Sequence, residues 1–273
     1  MIVVTGATGN VGRTLVEALA AAGEPVAAVS RGTPAELPEG VRHHRGDLAE
    51  PESLAPALDG ADALFLLVAG QDPQAIVDLA KAGGVRRIVL LSSQGAGTRP
   101  EVYRHPRVFE DAVRASGLQC TVLRPGGFHT NSLMWAETVR SQRFAAAPFG
   151  DVGLPGIDPT DIAEVAAVVL RDEGHDGQTY ELTGPAVLTP RQQVAAIAGA
   201  LGEPVRFVER SHAEARAYML AQHMPEPVVD GTLAILGDPS ADEQRVSPDV
   251  EKILGRATHT FTRWAARNIA AFR

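Results

Sequence analysis

A short apolar run near the N-terminus leads directly into a glycine-rich turn. The segment reads Val3-Val4-Thr5-Gly6-Ala7-Thr8-Gly9-Asn10-Val11-Gly12-Arg13. Between a strand and a helix, the first glycine permits a tight turn, the second lets a diphosphate approach the backbone, and the third lets the helix pack closely on the sheet. Amide groups around Thr8–Val11, together with the positive end of the helix dipole, would then bind phosphate. The segment therefore predicts a dinucleotide site, and the alternative is a tight strand-to-helix turn without a ligand.

Apolar runs alternate with helical patterns over the first 125 residues. The runs show little polar alternation, as expected for parallel strands covered on both faces. They are Met1–Thr5, Pro25–Ser30, Ala63–Val68, Val85–Ser92 and Cys120–Leu123, with a poorer strand at Val41–Arg45. An apolar stripe from Val11 to Leu19 predicts a helix that ends near Gly23. This alternation predicts an α/β fold of the Rossmann type, built on a doubly wound parallel sheet.

The pattern becomes less regular after about residue 125. We expect strands at Thr179–Leu182 and Pro204–Val208, and helices at Pro51–Leu58, Thr160–Leu170, Pro190–Leu201, Ser211–Gln222, Pro227–Leu236 and Thr260–Phe272. The interpretation is a dinucleotide-binding domain at 1–125 and a smaller C-terminal α/β lobe at 126–273. This lobe is interleaved with the first domain and binds the substrate.

Composition excludes several classes of function. The 273 residues include 25 basic and 33 acidic side chains, giving a net charge of −8, whereas general nucleic-acid binding needs a basic surface. The single cysteine cannot form an internal disulfide or a cysteine-based zinc site. No apolar run approaches the ~20 residues that span a bilayer. We expect a cytoplasmic protein, a monomer or homodimer, that binds a small molecule and no metal, nucleic acid or membrane.

The end of the second strand indicates which dinucleotide binds. An NAD site usually places an acidic residue there to accept hydrogen bonds from the ribose, but this strand ends Ser30-Arg31-Gly32. The Arg31 guanidinium can pair with a 2′-phosphate, and Ser30 can donate a further hydrogen bond. The sequence therefore favours NADPH over NADH, although Arg31 could also be an ordinary surface arginine.

Two further strand ends fit the same pocket. Asp47 could accept from the adenine amino group while Leu48 packs on the ring, although Asp47 is equally suited to cap the following helix. The small and apolar residues at Leu66–Gly70, including Leu67 and Val68, could flank the adenosine ribose and the diphosphate. Individually, they are also ordinary core residues.

The order of these motifs resembles one known family. Thr5–Gly12, Ser30-Arg31, Gly46–Leu48, Leu91–Ser93 and Leu123–Phe128 together are similar to atypical short-chain dehydrogenase/reductases of the NmrA-like, NAD(P)-binding branch. The resemblance implies that Gly6, Thr8, Gly9, Asn10 and Val11 bind the diphosphate. It also implies that Ser92, Pro125, Gly127 and Phe128 line the nicotinamide.

The catalytic signature of that wider family is incomplete here. Its members typically use a serine with a Tyr-x-x-x-Lys pair, but Arg107 stands four residues after Tyr103. Arginine does not reproduce the compact contacts of a lysine. Tyr103 and His129 remain candidate general acids, with His105 as a further histidine, and each histidine could instead be a surface or capping residue.

The segment after the Pro-Gly-Gly turn supplies candidate substrate contacts. His129, Asn131 and Trp135 lie there, and Trp135 with Phe128 offers flat apolar surfaces for an aromatic acceptor. Core packing is the alternative for the two aromatic residues, and helix capping is the favoured one for Asn131.

These features predict an NADPH-dependent oxidoreductase that reduces a small quinone or conjugated carbonyl compound by hydride transfer. A quinone acceptor fits the incomplete signature, because hydride addition gives a stabilised anion that solvent can protonate. The alternative is a non-catalytic, NAD(P)-sensing regulatory protein of the NmrA type. An epimerase or lyase is less favoured, since those reactions generally retain the full catalytic pair.

Overall fold

The computed structural model describes residues 1–34 and 36–273. The strands in this part of the chain are β1 (Ile2–Thr5), β2 (Val26–Ser30), β3 (Arg42–Arg45), β4 (Ala63–Leu67), β5 (Arg87–Leu91), β6 (Gln119–Pro125), β7 (Phe144–Ala147), β8 (Thr179–Leu182) and β9 (Arg206–Glu209).

Helices connect most of these strands. They are α1 (Gly12–Ala21), α2 (Ala55–Leu58), α3 (Pro73–Gly83), α4 (Gly95–Thr98), α5 (Arg104–Ala115), α6 (Ala136–Gln142), α7 (Pro159–Arg171), α8 (Pro190–Leu201), α9 (His212–Ala221), α10 (Glu226–Gly237), α11 (Asp249–Leu254) and α12 (Phe261–Arg267). Single 3-10 segments occupy Pro51–Leu54, His129–Trp135 and Ile269–Phe272.

Seven strands form one parallel sheet in the order β3-β2-β1-β4-β5-β6-β8. The order reverses between β1 and β4, which is the position where open α/β sheets bind ligands beyond the carboxyl ends of their strands. Every residue of β1 and β2 is buried, as expected for strands with helices on both faces. The predicted α/β fold with a doubly wound parallel sheet is confirmed.

Apolar side chains from the sheet and its helices form the first core. Leu64 of β4, Ile76 of α3, Phe109 of α5 and Ile88 of β5 belong to it and are completely buried. Removing each such side chain from water stabilises the fold by roughly 1.5–3 kcal/mol. This core fixes the strand ends that carry the predicted dinucleotide residues.

The chain divides into two compact units. The first contains Met1–Pro125, Pro159–Leu182 and Asp249–Arg256, and the second contains Gly126–Asp158, Thr183–Pro248 and Ala257–Arg273. The first unit therefore includes α7, β8 and α11, since β8 pairs with β6 and extends the large sheet. The second unit is discontinuous in sequence.

The second unit has its own sheet and core. Strands β7 and β9 pair in parallel, with Phe144 opposite Arg206 and Ala147 opposite Glu209. The core contains Trp264, Phe261 and Phe272, each at most 1% exposed. The Trp264 ring packs edge-on against Phe272, with centroids 6.5 Å apart. These contacts secure α12 and the following 3-10 turn.

Several local predictions differ from the structure. Strand β7 and helix α11 were not expected, because each is short and β7 is mostly alanine. The predicted helix at Thr260–Phe272 is interrupted at Asn268, where α12 ends. The predicted helix at Pro51–Leu58 consists of one 3-10 turn and one α turn, with a proline in the first turn of each.

A search of the described residues for a helix long and apolar enough to cross a membrane finds none.

Candidate active site

The glycine loop after β1 is shaped by close backbone packing. Gly6 has a φ of 64°, and a Cβ atom there would overlap Cδ1 of Leu67. A Cβ atom at Gly12 would overlap the carbonyl oxygen of Gly6, so α1 starts directly against the turn. The amide of Gly9 donates to Gly6 O over 2.9 Å, and residues Thr8–Asn10 are exposed. The turn thus presents its backbone to solvent, which fits a bound diphosphate.

The N-terminus of α1 is suited to hold negative charge. Its N-cap position is Val11, and no side chain of the described residues caps it. The first turn contains no acidic residue that could compete for the amide groups. Unpaired N–H groups and the helix dipole both favour an anion here. The residues predicted to bind the diphosphate, Gly6, Thr8, Gly9, Asn10 and Val11, lie together in this turn.

Thr5 ties the ends of β1 and β4 together at the point where the strand order reverses. Its Oγ1 donates to Phe65 O over 2.9 Å and accepts from the amide of Leu67 over 3.0 Å. Leu67 and Val68 are half-buried, and Leu67 packs on Gly6. The structure therefore brings the β4 end against the glycine loop, as the dinucleotide hypothesis requires.

The loops after β3 and β4 are also in contact. Gly70 has a φ of 81°, and a Cβ atom there would overlap the carbonyl oxygen of Leu48. Asp47 is half-buried, and its Oδ1 accepts from the amide of Ala49 over 3.0 Å. The N-cap of the following 3-10 turn is Glu50, so the alternative in which Asp47 caps it is wrong. The two segments predicted to meet the adenosine form one surface.

Ser30 and Arg31, at the end of β2, have different surroundings: Ser30 is buried and Arg31 is exposed. The Ser30 hydroxyl is buried and donates to Gly32 O over 2.6 Å, and it also bonds His43 Nε2 at 2.9 Å. The hydroxyl of Ser30 thus shapes the turn, and its contact with a phosphate stays a prediction. Arg31 is exposed on that turn. Arg45, in register with Ser30 on β3, is a second exposed guanidinium that was not considered.

A buried carboxylate organises the ends of β5 and β6. Glu110 of α5 is completely buried and accepts from Ser92 Oγ over 2.7 Å. Arg124 of β6 binds both of its oxygens, with Nε at 2.9 Å from Oε1 and Nη2 at 2.7 Å from Oε2, and Arg114 adds a third cationic contact. Burial alone would raise the pKa of Glu110, but bonds from Arg124 and Ser92 outweigh it and lower the pKa to about 2.

This cluster lies at the end of β6, directly before the segment predicted to line the nicotinamide. Arg124 directly precedes Pro125, and the Pro125 carbonyl accepts from the amide of Gln94 over 2.9 Å. A Cβ atom at Gly97 would lie 2.5 Å from Arg124 Nη1, so α4 also packs on the guanidinium. The Ser92 hydroxyl donates a hydrogen bond to Glu110, and its oxygen can still accept one.

Tyr103 lies at the N-cap of α5, where its ring packs on the backbone of Gly95. A Cβ atom at Gly95 would lie 2.6 Å from that ring. Arg107, in the position where the wider family has lysine, lies 3.8 Å from both Glu110 and Asp111. The Arg107 guanidinium therefore interacts with the acidic residues of its own helix. His105 bonds the carbonyl of Gly70 through Nε2 at 2.7 Å.

The second unit contains a cavity of about 690 Å³. Gly127 and Phe128, two and three residues beyond Pro125, line it. Apolar side chains from the 3-10 segment and from α9 and α10 form much of the remaining wall, among them Met134, Trp135, Met219 and Leu236. Such a cavity is large enough for a two-ring acceptor.

His129 lines this cavity but is unsuited to donate a proton. It is 4% exposed, and Nε2 lies 3.0 Å from Gly156 O, while Nδ1 has no hydrogen-bond partner among the described residues. Burial lowers the pKa of His129 to about 4, although Asp158 acts in the opposite direction. The imidazole is therefore neutral near pH 7 with its one proton directed at Gly156 O, which disfavours proton donation, and the role of His129 as a general acid stays a prediction.

Two other predicted substrate residues line the same cavity. Trp135 is 6% exposed and donates from Nε1 to Ala146 O over 3.0 Å, so it is both a core residue and part of the wall. Asn131 is exposed and lies inside the 3-10 segment, whose N-cap is Phe128. The favoured interpretation of Asn131 as a helix cap is therefore wrong, because the segment starts two residues earlier.

The sequence analysis did not identify Glu110, Arg124 or Arg210 as site residues. Glu110 falls between the apolar Phe109 and Val113 on the inner face of α5, and Arg124 directly follows the buried Val122-Leu123 pair in β6. A charged residue at a position predicted to be buried requires a partner of opposite charge, and this rule would pair Glu110 with Arg124.

No group of three or more His, Cys, Asp and Glu side chains suited to a metal occurs within residues 1–34 and 36–273.

Comparison with known proteins identifies relatives over the whole chain. The model of a family described as NAD(P)H-binding matches residues 6–173. A (4-alkanoyl-5-oxo-2,5-dihydrofuran-3-yl)methyl phosphate reductase from Streptomyces griseus is 37% identical over 292 residues, covering 100% of this chain and 99% of the relative. An NAD(P)H azoreductase from Xenophilus azovorans is 34% identical over 286 residues, covering 100% and 99%.

Solved structures show the same architecture. The NADPH-dependent quinone oxidoreductase from Escherichia coli, in complex with NADPH, has a TM-score of 0.82 and 25% identity, covering 98% of this chain and 99% of that chain. The parallel sheet with its glycine loop, the family match and the full-length relatives agree. The chain belongs to the NAD(P)H-binding family and is an NAD(P)H-dependent oxidoreductase.

Proposed function

We propose that this enzyme prefers NADPH and reduces a small quinone or another conjugated carbonyl compound. The observation that carries the proposal is the 690 Å³ cavity after β6, whose wall is largely apolar and includes the aromatic residues Phe128 and Trp135. The names of the relatives support this class. They include a quinone oxidoreductase and a reductase whose substrate name contains an oxo-dihydrofuran ring.

The first unit supplies the cofactor site in this proposal. The glycine loop and the start of α1 hold the diphosphate, and Arg31 pairs with the 2′-phosphate. Asp47 and Leu48 meet the adenine, while Leu67 and Val68 flank the ribose. Charge-assisted hydrogen bonds to phosphate are about twice as strong as neutral ones, so one exposed guanidinium is enough for a preference. Arg45 strengthens the positive field at the same strand ends.

The nicotinamide end is formed by fixed groups. The Ser92 hydroxyl donates its hydrogen bond to Glu110, so toward the cofactor its oxygen acts as an acceptor. The Pro125–Phe128 turn supplies backbone N–H and C=O groups. Glu110 binds Arg124, and the carbonyl of the following Pro125 accepts from the amide of Gln94, so the end of β6 is held by contacts within the first unit. The acceptor occupies the cavity of the second unit, which is the substrate-binding lobe in this proposal.

Proton supply favours a conjugated acceptor. Bound NAD(P)H supplies a hydride from its reduced nicotinamide. His129 is neutral near pH 7, and Arg107, which stands where the wider family has lysine, lies beside the acidic residues Glu110 and Asp111 of its own helix. Hydride addition to a quinone yields a delocalised anion that water can protonate, whereas a saturated ketone yields an alkoxide that needs an acid in the transition state.

A stopped-flow panel tests the proposal. NADPH is mixed with enzyme and menadione, benzoquinone, a cyclic enone or the matching saturated ketone, and loss of nicotinamide absorbance is followed. Quinones and the enone should oxidise NADPH while the saturated ketone leaves it unchanged. Equal rates for enone and saturated ketone would show that a general acid exists after all. Binding of NADPH without turnover of any conjugated acceptor would refute the proposal.

A further inference from the structure

One permanent cation lines the apolar cavity of the second unit. Among the described residues that form its wall, the ionisable side chains are Arg210, His129 and Tyr218, and none is a carboxylate. His129 is neutral near pH 7 because burial lowers its pKa to about 4. The cavity therefore carries the positive charge of Arg210 with no negative group in its lining.

The Arg210 guanidinium is held in place by an aromatic ring instead of an acid. Its Cζ lies 4.4 Å from the centroid of the Tyr218 ring, and its backbone amide donates to Ala147 O over 2.9 Å. Stacking on an aromatic face orients a guanidinium but leaves its edge N–H groups available. No carboxylate of the described residues forms an ion pair with Arg210.

The neighbouring acids are committed to other partners. Glu209 accepts from Arg191 Nη2 over 2.8 Å and from the amide of Gly150 over 2.9 Å. Glu214 accepts from the amide and the hydroxyl of Ser211, each over 2.8 Å. These Ser211 bonds are the main cause of the lowered pKa of Glu214, and the charge of Arg210 contributes less. A ligand is thus the group best placed to pair with Arg210 at close range.

The remainder of the wall accepts an apolar body. Met134, Trp135, Met219, Met224 and Leu236 line the cavity, and methionines adapt to flat ring systems. The protein as a whole carries a net charge of −8, which disfavours anions at a general surface. A single guanidinium in a carboxylate-free cavity reverses that preference locally.

We propose that Arg210 selects acceptors that carry an oxyanion, such as a carboxylate or a phosphate ester, on a conjugated or aromatic body. The oxyanion pairs with the guanidinium edge, and the apolar body lies along the Met and Trp side chains. This inference rests on the proposed function, because it places the reducible acceptor in this cavity. It goes beyond that proposal by assigning the specificity to one residue.

A matched acceptor pair tests the assignment. The substrates are a naphthoquinone with a propionate side chain and its methyl ester, which share one redox-active ring. The wild-type enzyme should show a kcat/KM at least tenfold higher for the acid. In Arg210→Met this ratio should fall to about one, and in Arg210→Lys it should stay intermediate. The wild-type ratio should also fall as salt is added, because ions screen a partly exposed pair.

Arg206→Met is the matched control. Arg206 lies on β9 four residues earlier and also stacks on an aromatic ring, with Cζ 5.6 Å from the centroid of Phe144, but it does not line the cavity. This variant should keep the wild-type ratio. A ratio lowered equally by Arg206→Met and Arg210→Met would overturn the assignment, since it would reflect general surface charge.

Calorimetric titration of both quinones into cofactor-free enzyme separates the two proposals. Tighter binding of the acid than of the ester, lost in Arg210→Met, supports the role of Arg210 even if neither quinone is reduced, in which case the proposed function fails alone. Equal binding of acid and ester to the wild type overturns the role of Arg210, whether or not menadione is reduced.

Discussion

Replacing Glu110 by glutamine removes the charge at the centre of the buried cluster while preserving its volume. The carboxylate accepts from Ser92, Arg124 and Arg114 and has no exposed surface. In Glu110→Gln, the guanidinium of Arg124, whose side chain is 14% exposed, loses its bidentate acceptor. The variant therefore leaves a largely buried cation without its directly paired carboxylate, with Glu181 as the remaining acid that acts on it, and breaking such a pair is destabilising.

The magnitude follows from the lowered pKa. A carboxyl whose pKa falls from 4.5 to about 2 on folding contributes about 3 kcal/mol to the free energy of unfolding at pH 7. Because the pKa is lowered in the folded state, the contribution is complete above about pH 4.5 and is lost as the pH falls toward 2. The difference between wild type and Glu110→Gln should thus be about 3 kcal/mol at pH 7 and about 1 kcal/mol at pH 3.

Urea denaturation at several pH values measures this difference. Far-UV circular dichroism should follow the transition, because Trp135 and Trp264 both belong to the second unit and their fluorescence reports mainly on it. Nicotinamide binding should weaken together with stability, since the cluster holds the turn after β6. With a conjugated acceptor, kcat should fall, and the KM for the acceptor should change less.

Glu173→Gln is the control for this measurement. Glu173 pairs with Arg87 at 3.1 Å, but its side chain is 86% exposed, and exposed pairs contribute little. A loss below about 1 kcal/mol in Glu110→Gln, or a loss that does not change between pH 7 and pH 3, would contradict the charge-based explanation. The network would then act through shape alone.

Three further predictions concern the cofactor loop and the candidate acid. Arg31→Ala should weaken NADPH binding by about 1.5–3 kcal/mol and leave NADH nearly unchanged in calorimetry, and equal losses for both would exclude a 2′-phosphate role. Gly12→Ala should abolish nucleotide binding because its Cβ overlaps Gly6 O, whereas Gly199→Ala, in a helix with no atom within 4 Å of the added Cβ, should bind normally and melt at the same or a higher temperature. His129→Asn should leave the pH dependence of kcat between pH 6 and 9 unshifted, because the pKa of His129 is about 4, and loss of a limb near pH 7 would show that His129 titrates there.

Local signals predicted much of the fold. The glycine motif and the apolar strands depend on residues close in sequence. The helix predicted at Pro190–Leu201 also begins with a local signal, a capping box of Thr189 and Gln192 with both of its hydrogen bonds formed. Gly23 has a φ of 79° just after α1 ends, as expected for a residue that terminates a helix. Such features can be identified from a sequence because no distant partner determines them.

The parts that could not be predicted depend on sheet register. The hydrogen bond between the buried Ser30 hydroxyl and His43 forms because the register of β2 and β3 brings the two side chains together, and that register cannot be read from the sequence. Glu110 and Arg124 meet only when α5 packs on β5 and β6. Strand β7 consists of Phe144 and three alanines and pairs with a segment about 60 residues later, so its strand signal is weak.

The alternation of the two units along the chain has a consequence for biosynthesis. The backbone passes between them after residues 125, 158, 182, 248 and 256. A nascent chain that stops at Pro125 exposes β6 as an unpaired edge, and this edge is covered only when Thr179–Leu182 leaves the ribosome. The sheet unit is completed later still, by Asp249–Arg256. A cofactor that binds during translation therefore meets a first unit that still lacks α11, or it binds only after almost the entire polypeptide has been made.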